Sequence, residues 1–496
     1  MKSTRNLSRG EGRRLGNVAL IAFMLGSLLL LSLIRARFSP IGKTGEAIKA
    51  EEQQAMRKES VKMEAADDAA ASAAEEEEEE TQPKPTDTSG GGGGGVSSTA
   101  VAAGDAATDH LRLGKPVCYE SSRRSDTCEA AGDVRVQGRT QTIHVRPLEQ
   151  EWKVKPYCRK HDAFALSHVK EWTLRPLPAA APRCTVNSSA TAFVLSTGGF
   201  TGNLFHDYTD VLIPAFITAR RYAGEVQFLV SSFKSWWTNK YLQIFQQLSR
   251  HEVVDVDNDD EVRCYGSVVV GPTFHRELGV DASRTAPPGT SMADFRATLR
   301  AAFGLERAAA APSGDRWDIR RRPRLLIISR RSTRRLLNER AMVDMAMSLG
   351  FDVRVGDPDV STDVSKFARL VNSADVMVGV HGAGLTNMVF LPAGAVLIQV
   401  VPYGGLEWLA RGTFGEPAAD MEVHYLEYMI QLDETTLSEQ YPKDDPVLRD
   451  PASVHKQGWN ALKTVYLDKQ NVRPHLGRLK NTFMEALKLL PHGRSN

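Results

Sequence analysis

Three groups of residues combine reactive side chains with a spacing that would bring them together. In GNLFHDYTD, His206 and Asp210 stand four apart, so on a helix they share a face. A carboxylate that orients an imidazole is a recurring general-base arrangement. Asn203 opens this segment and Asp207 lies inside it. In VGVHGAGLTN, His381 follows an apolar run of strand length and precedes Gly382, Ala383 and Gly384. Glycines let a backbone approach a ligand closely, and a helix starting there offers N–H groups to an anion. Thr386 and Asn387 add polar atoms around the same turn. In IISRR, Arg330 and Arg331 close another apolar run. Two guanidiniums at the carboxyl end of a strand can grip a diphosphate through paired, charge-assisted bonds. Arg334 and Arg335, a few residues on, fit a solvated helix face better.

Each group has a plainer reading: a tight strand-to-helix turn, a structural His–Asp pair, a solvated basic face. A fourth group, DVDNDD at 255–260, contains the Asp-x-Asp with which some nucleotide-sugar enzymes hold a divalent ion. Glu261 and Arg263 bound it, and it reads as a charged loop, so no metal site is expected. The cysteines, Cys118, Cys128, Cys158, Cys184 and Cys264, include no Cys-x-x-Cys pair, which argues against zinc. In an oxidising compartment Cys118 and Cys128 are the simplest pair to close a short loop. The spacing leaves the full connectivity open.

The elements that must position these residues alternate between strand and helix. Strands are expected at 142–145, 191–196, 225–231 and 264–270, then at 324–328, 352–355, 376–380 and 396–401. Helices are expected at 240–248, 292–303, 338–349 and 476–489. Leu204, Tyr208, Val211 or Leu212, and Ala215 recur at helical spacing, with Pro214 bending that helix or marking the start of its regular part. Thr362 or Asp363 is placed to cap a helix carrying Phe367, Leu370 and Val371. This alternation is that of an α/β protein with open parallel sheets. Ligands of such sheets sit beyond the carboxyl ends of the strands, where His381 and Arg330 fall.

With 496 residues and a net charge of +2, the chain is long enough for several cores and carries no global charge that points to nucleic acid. Its N-terminus is basic. Residues 15–34 are then uncharged and leucine-rich, long enough to span a bilayer, and Arg35 and Arg37 close them. No small-residue cleavage site precedes those charges, so the span reads as an uncleaved signal anchor rather than a signal peptide. The positive-inside rule puts 1–14 in the cytosol and the rest in a lumen, a type II arrangement. Residues 35–110, with a glutamate run and a glycine run, read as a disordered stem. The globular part divides into 111–310, 311–455 and a helical segment 456–496, with a linker over 306–322. Asn187 heads a glycosylation sequon in an exposed loop.

Taken together, RRSDTCEAAGDVRV, GGFTGNLFHDYTDVLIP, LLIISRR, VGVHGAGLTNMVFLP and QGWNALKTVYLDKQNV resemble plant glycosyltransferase family 61 across the globular part. The resemblance implies a GT-B fold: two Rossmann-like domains facing a cleft, the last helix crossing back to the first. It implies an inverting Golgi transferase that uses a UDP-sugar without an obligate metal or other cofactor. Arg330, with Arg331, would match the diphosphate-binding arginine. His381 and its turn would match the nucleotide-binding motif. Asn203, His206 and Asp210 would match the asparagine–histidine–aspartate pattern, with Asn203 towards the acceptor and His206 as base. Asp207 sits inside that pattern as a further candidate. Cys158, in KPYCRK, departs from the small uncharged residue expected there and raises the question of whether it is disulfide-bonded. Similar plant proteins act on xylan, which favours transfer of a pentose from a UDP-pentose, arabinofuranose ahead of xylose. A related branch adds xylose to N-glycans. Other Golgi glycosyltransferases are candidate partners. A non-catalytic glycan-binding protein is the rival from another class, against which the intact His206, Arg330 and HGAG set argues. A Rossmann dehydrogenase would need a G-x-G-x-x-G turn that the first glycine cluster does not fit.

Overall fold

The apolar runs become the strands of two sheets. The computed structural model describes residues 117–310, 322–359 and 361–491. The tail, anchor and stem expected over 1–110 lie outside them. Among the described residues no helix is long and apolar enough to cross a membrane.

The first sheet holds β1 (Cys118–Ser122), β2 (Ser125–Gln137), β3 (Thr142–Arg146), β4 (Trp152–Val154), β5 (Trp172–Pro176), β6 (Val186–Asn187), β7 (Thr191–Ser196), β8 (Val226–Ser231), β9 (Val254–Asp255) and β10 (Val262–Val270). Its order is β4-β5-β3-β2-β10-β7-β8-β9, with β1 on β2 and β6 on β10. From β10 through β7 and β8 to β9 the strands are parallel. Every residue of β7 is buried, as a parallel strand covered on both faces requires. β2 then runs antiparallel to β10 and begins an extension that only short pieces had foreshadowed. Gly132 and Asp133 interrupt its apolar alternation. Gly132 has φ 126°, and a Cβ there would lie 2.0 Å from the Arg146 carbonyl oxygen.

The second sheet holds β11 (Arg324–Ile328), β12 (Asp352–Gly356), β13 (Val376–Val380), β14 (Val396–Val401) and β15 (His424–Met429), all parallel. Its order, β12-β11-β13-β14-β15, reverses direction between β11 and β13. That reversal opens a crevice beyond the carboxyl ends of these two strands, the general place for a ligand in an open α/β sheet. Arg330 follows β11 and His381 follows β13.

The main helices are α1 (Ser235–Leu248), α2 (Met292–Phe303), α3 (Glu339–Ser348), α4 (Val364–Asn372) and α5 (Leu476–Leu489). Of the two residues placed to cap α4, Asp363 does so, accepting from Lys366 N at 3.0 Å. The last helix does not cross back to the first sheet. Leu479, Phe483 and Ala486 of α5 are buried in one core with Leu325, Ile327 and Met342 of the second sheet and α3. The loop before α5 is already pinned there, Val472 N donating to Arg335 O at 2.9 Å and Arg473 N to Glu434 O at 2.7 Å.

One buried cluster draws side chains from both halves, Phe193 and Phe228 of the first sheet with Leu326 and Met377 of the second. Tyr208 meets Phe390 edge-on at 6.0 Å, and Phe303 meets the same ring at 5.8 Å. Arg296 of α2 donates to the carbonyls of Leu391 and Met421. Of the expected linker, Arg307 is tied to Asn372, Ser373 and Asp375 of the second half. An interface this apolar holds the halves as one body.

Cys118 pairs with Cys128, closing the β1–β2 hairpin as expected, and Cys184 pairs with Cys264. Cys158 is a buried free thiol. The second bridge spans 80 residues of sequence. Loop-closure entropy for that length is about 4–5 kcal/mol. Replacing Cys184 and Cys264 together with serine is expected to lower the urea unfolding free energy by roughly that amount, read by tryptophan fluorescence.

Candidate active site

A cavity of about 750 Å³ is walled by segments that follow β7, β11, β12, β13 and β14. The first wall begins at Asn203, whose Oδ1 accepts from Phe205 N at 2.9 Å and caps a short α turn, Leu204–His206. A π turn, Asp207–Leu212, carries the chain into a regular helix, Ile213–Ala219. Pro214 stands in the first turn of that helix, one of the two outcomes expected of it. It has no N–H to give to the preceding turn, and a π turn there accommodates the gap.

His206 and Asp210 meet as their spacing predicts, Nδ1 to Oδ2 at 2.8 Å. Asp210 is fully buried. Burial alone would raise its pKa, but Arg159 first and His206 next hold it at about 2. An ionised carboxylate only accepts hydrogen bonds, so Nδ1 of His206 carries the proton and Nε2 is the basic nitrogen. His206 lines the cavity, its ring 4.7 Å from Phe200 and 5.4 Å from Phe205.

Asp207 takes a different place from the one expected. It does not line the cavity. Its Oδ1 accepts from Gly202 N and Trp237 Nε1, both at 2.6 Å, and its Oδ2 from Tyr241 Oη at 2.7 Å. It is a buried tie between the glycine turn and α1. Sequence reasoning passed over Arg159, whose Nε reaches Asp210 Oδ1 at 3.1 Å and Oδ2 at 2.9 Å. It also passed over Glu277, paired with Arg124, and over Lys240 in the same wall. A basic residue beside Cys158 was the one available signal.

On the second wall Arg330 donates from Nε to Thr333 O at 3.0 Å. A Cβ on Gly382, at φ 142°, would come within 2.7 Å of Arg330 Nη1 and 3.0 Å of Arg334 Nη1. Glycine there lets both guanidiniums lie against the turn. Arg334 is thus part of the cavity rather than of a solvated helix face, and its Nη1 donates to His381 O at 3.1 Å. Arg335 is exposed. Arg331 lies at the cavity rim, 87% exposed and paired with Asp357. His381, Gly382, Ala383 and Gly384 line the cavity, whereas Thr386 and Asn387 lie beneath the turn. Asn387 Nδ2 donates to Gly384 O at 2.9 Å, and the buried Thr386 Oγ1 finds no hydrogen-bond partner among the described residues. These two shape the turn instead of facing a ligand.

His381 is buried. Burial first, then the charges of Arg334 and Arg330, push it down to about 3. Its Nδ1 lies 2.6 Å from Gln399 Nε2, and Gln399 Oε1 accepts from Tyr425 Oη at 2.8 Å. The imidazole is therefore neutral with its proton on Nε2. Its folded pKa lies below the ordinary 6.5. The unfolded chain thus binds the proton more readily, and the stability His381 contributes is complete above pH 6.5 and is lost as pH falls towards 3. Urea midpoints are expected to drop across that window, by at most about 5 kcal/mol of stability. His381→Gln is expected to flatten the drop.

Phe414 joins the walls, edge-on to Phe205 at 6.0 Å and to His381 at 5.7 Å. Trp408 stands beside it, and Trp459, Lys463 and Asp468 close the far side. Lys463 Nζ donates to Asp468 Oδ2 at 2.8 Å. The π turns Asp207–Leu212, Arg411–Gly415 and Lys463–Asp468 each contribute to or adjoin the cavity wall. Such irregular turns often sit at functional sites.

The 255–260 run lies away from the cavity. Asp257 accepts from Phe233 N and pairs with Lys170, Asp259 pairs with Arg263, and Asp260 with Arg139. Among the described residues no three His, Cys, Asp or Glu side chains are grouped to hold an ion. Asn187 is exposed on β6.

One wall thus offers a base held by a carboxylate, and the other offers guanidiniums and a neutral imidazole suited to an anion. The profile of the family Glycosyltransferase 61 matches residues 202–398, which contain both walls' motifs. Alpha-1,3-arabinosyltransferase XAT3 of Oryza sativa subsp. japonica is 45% identical over 75% of this chain, which spans 65% of that protein's length. Beta-1,2-xylosyltransferase XYXT1 of the same organism is 40% identical over 77% of this chain and 84% of its own. Xylan glycosyltransferase MUCI21 of Arabidopsis thaliana is 36% identical over 74% and 78%.

Proposed function

The chain belongs to glycosyltransferase family 61, and on that premise we propose that it moves a pentose from a UDP-sugar to xylan with inversion at the anomeric carbon. The observation that carries this reading is that His206 and Arg330 both line one cavity. The acceptor hydroxyl oxygen attacks the anomeric carbon opposite the diphosphate. Its proton passes to His206 Nε2, while Asp210 stabilises the imidazolium that forms. The bond from the anomeric carbon to the phosphate oxygen breaks, and UDP leaves with its new charge against Arg330, Arg334 and the Nε2–H of His381. Asn203, which lines the cavity just before His206, contacts the acceptor in this reading. No step calls on a metal.

Arabinofuranosyl transfer to a backbone xylose is the first reading, because the two relatives of 45% and 42% identity are named α-1,3-arabinosyltransferases. β-1,2-Xylosyl transfer is the second, supported by the fuller coverage of XYXT1. The two α/β halves around a cavity fit a GT-B arrangement. The uncharged 15–34 segment and the sequon at Asn187 fit a type II Golgi glycoprotein.

The luminal part, secreted from about residue 109, is incubated with UDP-arabinofuranose, UDP-xylose and other UDP-sugars, with xylo-oligosaccharides and EDTA. One pentose added per acceptor, with its linkage read from the product, is the expected result. UDP binding without product from any donor would favour a different acceptor or a binding protein. Activity lost in EDTA would overturn the metal-free step.

A further inference from the structure

We propose that Arg159 is a positioning residue for the base: it fixes Asp210 and takes up part of its charge, so that His206 stays neutral and able to accept a proton at mildly acidic pH. The inference deepens the reading above and rests on His206 being the base.

Arg159 comes from the loop after β4 and is 7% exposed on its side chain. Its Nε donates to Asp210 Oδ1 at 3.1 Å and Oδ2 at 2.9 Å. The same Oδ2 accepts from His206 Nδ1 at 2.8 Å and Tyr157 Oη at 2.9 Å. A carboxylate alone beside an imidazole favours the imidazolium. That helps once the acceptor proton moves, but it also protonates the ring beforehand and removes the base. A cation bound to both carboxylate oxygens offsets this while leaving the hydrogen bond in place. Tyr157 adds a donor and no charge. Glu277 supplies the counter-charge, 3.6 Å from Arg159 Nη2, and itself pairs with Arg124 and accepts from Thr209 Oγ1 at 2.8 Å. The rings of Phe200 and Phe205 face His206 and bring no charge. Asp207 directs both its oxygens to Gly202, Trp237 and Tyr241. Among the described residues, Arg159, Glu277 and Arg124 thus form a chain of charges that begins on the His206–Asp210 pair.

The test is the pH dependence of kcat/KM for transfer, with UDP affinity measured alongside. Removing the cation in Arg159→Met is expected to move the acidic limb upward by about one to two pH units. On the limb this reads as a loss of about 10- to 100-fold that shrinks as pH rises. Glu277→Gln removes the opposing charge and moves the limb the other way. Arg159→Lys keeps the limb near its original position and lowers the rate at every pH, because the fixed Nε–H shared by the two Asp210 oxygens is lost. A merely structural role would lower activity at all pH values and move no limb. Should Arg159→Met not fold, the other two variants decide: a limb that stays still or rises in Glu277→Gln overturns the proposal. His206→Ala separates the two layers. If it is inactive and no limb moves, Arg159 has no such role. If it keeps activity and the wild-type limb, the base assignment itself fails.

Discussion

His206→Ala is expected to slow pentose transfer by about 10³- to 10⁴-fold while UDP affinity changes by less than about threefold. The rate loss is the upper part of what a positioned general base supplies. The affinity is spared because the groups proposed to hold the diphosphate, Arg330, Arg334 and the His381 turn, come from the segments after β11 and β13, separate from the one that carries His206. His206 is held by its hydrogen bond to Asp210 and by the rings of Phe200 and Phe205. Truncation leaves those partners in place, so the fold is not at stake. Asp210→Asn is expected to be nearly as damaging, about 10²-fold or more. The amide oxygen can still accept from Nδ1, but the amide nitrogen competes for the same position and would fix the wrong tautomer. It would also remove the nearer of the two carboxylates paired with Arg159, leaving Glu277. Single-turnover transfer and calorimetric UDP binding check both variants. A His206→Ala enzyme within tenfold of wild type would move the base elsewhere, and Glu277 would be the carboxylate in the cavity to try next.

The parts of this site legible in the sequence were those that local spacing decides. Four residues of helix bring His206 to Asp210 whatever surrounds them. Arg330 and His381 end runs so apolar that they had to be buried parallel strands, and parallel strands bring their C-terminal turns to one edge of the sheet. Choices made by long-range partners were not legible. Asp207 and Asp210 are the same residue type three apart on one segment. Trp237 and Tyr241 of α1 claim the first, while Arg159 and Tyr157 claim the second. Spacing from His206 singles out Asp210, but nothing in the segment says that Asp207 turns away to the glycine turn and α1. Arg334 looked like a surface arginine because helical spacing was assumed for it, whereas its φ of 55° turns it under the glycine turn. The last helix was assigned to the first half by resemblance to a family. Its own apolar face, Leu479, Phe483 and Ala486, says only that it packs somewhere. The bridge between Leu336 and Val472 ties the chain just before it to the second half, and there its face meets Leu325 and Ile327.

Arg330→Ala is expected to lower kcat/KM by about 10²- to 10³-fold and to weaken UDP binding by about 10- to 100-fold. Charge-assisted bonds to a diphosphate are worth about 1.5–3 kcal/mol each, and one that strengthens as the leaving group gains charge acts on the rate beyond its effect on binding. The rate is therefore expected to fall further than affinity, which separates leaving-group stabilisation from simple docking. Arg330→Lys restores the charge without the planar fork, and recovery is expected to be partial for UDP affinity and poorer for rate. Gly382→Ala offers an independent route to the same result. Its Cβ would stand 2.7 Å from Arg330 Nη1 at a φ of 142°, so the guanidinium has to move although its charge is kept. If position rather than charge alone matters, Gly382→Ala reproduces the loss of kcat, and combining it with Arg330→Ala adds little, since both remove one contact. Full additivity of the two, or a wild-type rate in Gly382→Ala, would mean that the turn and the arginine serve different parts of the donor.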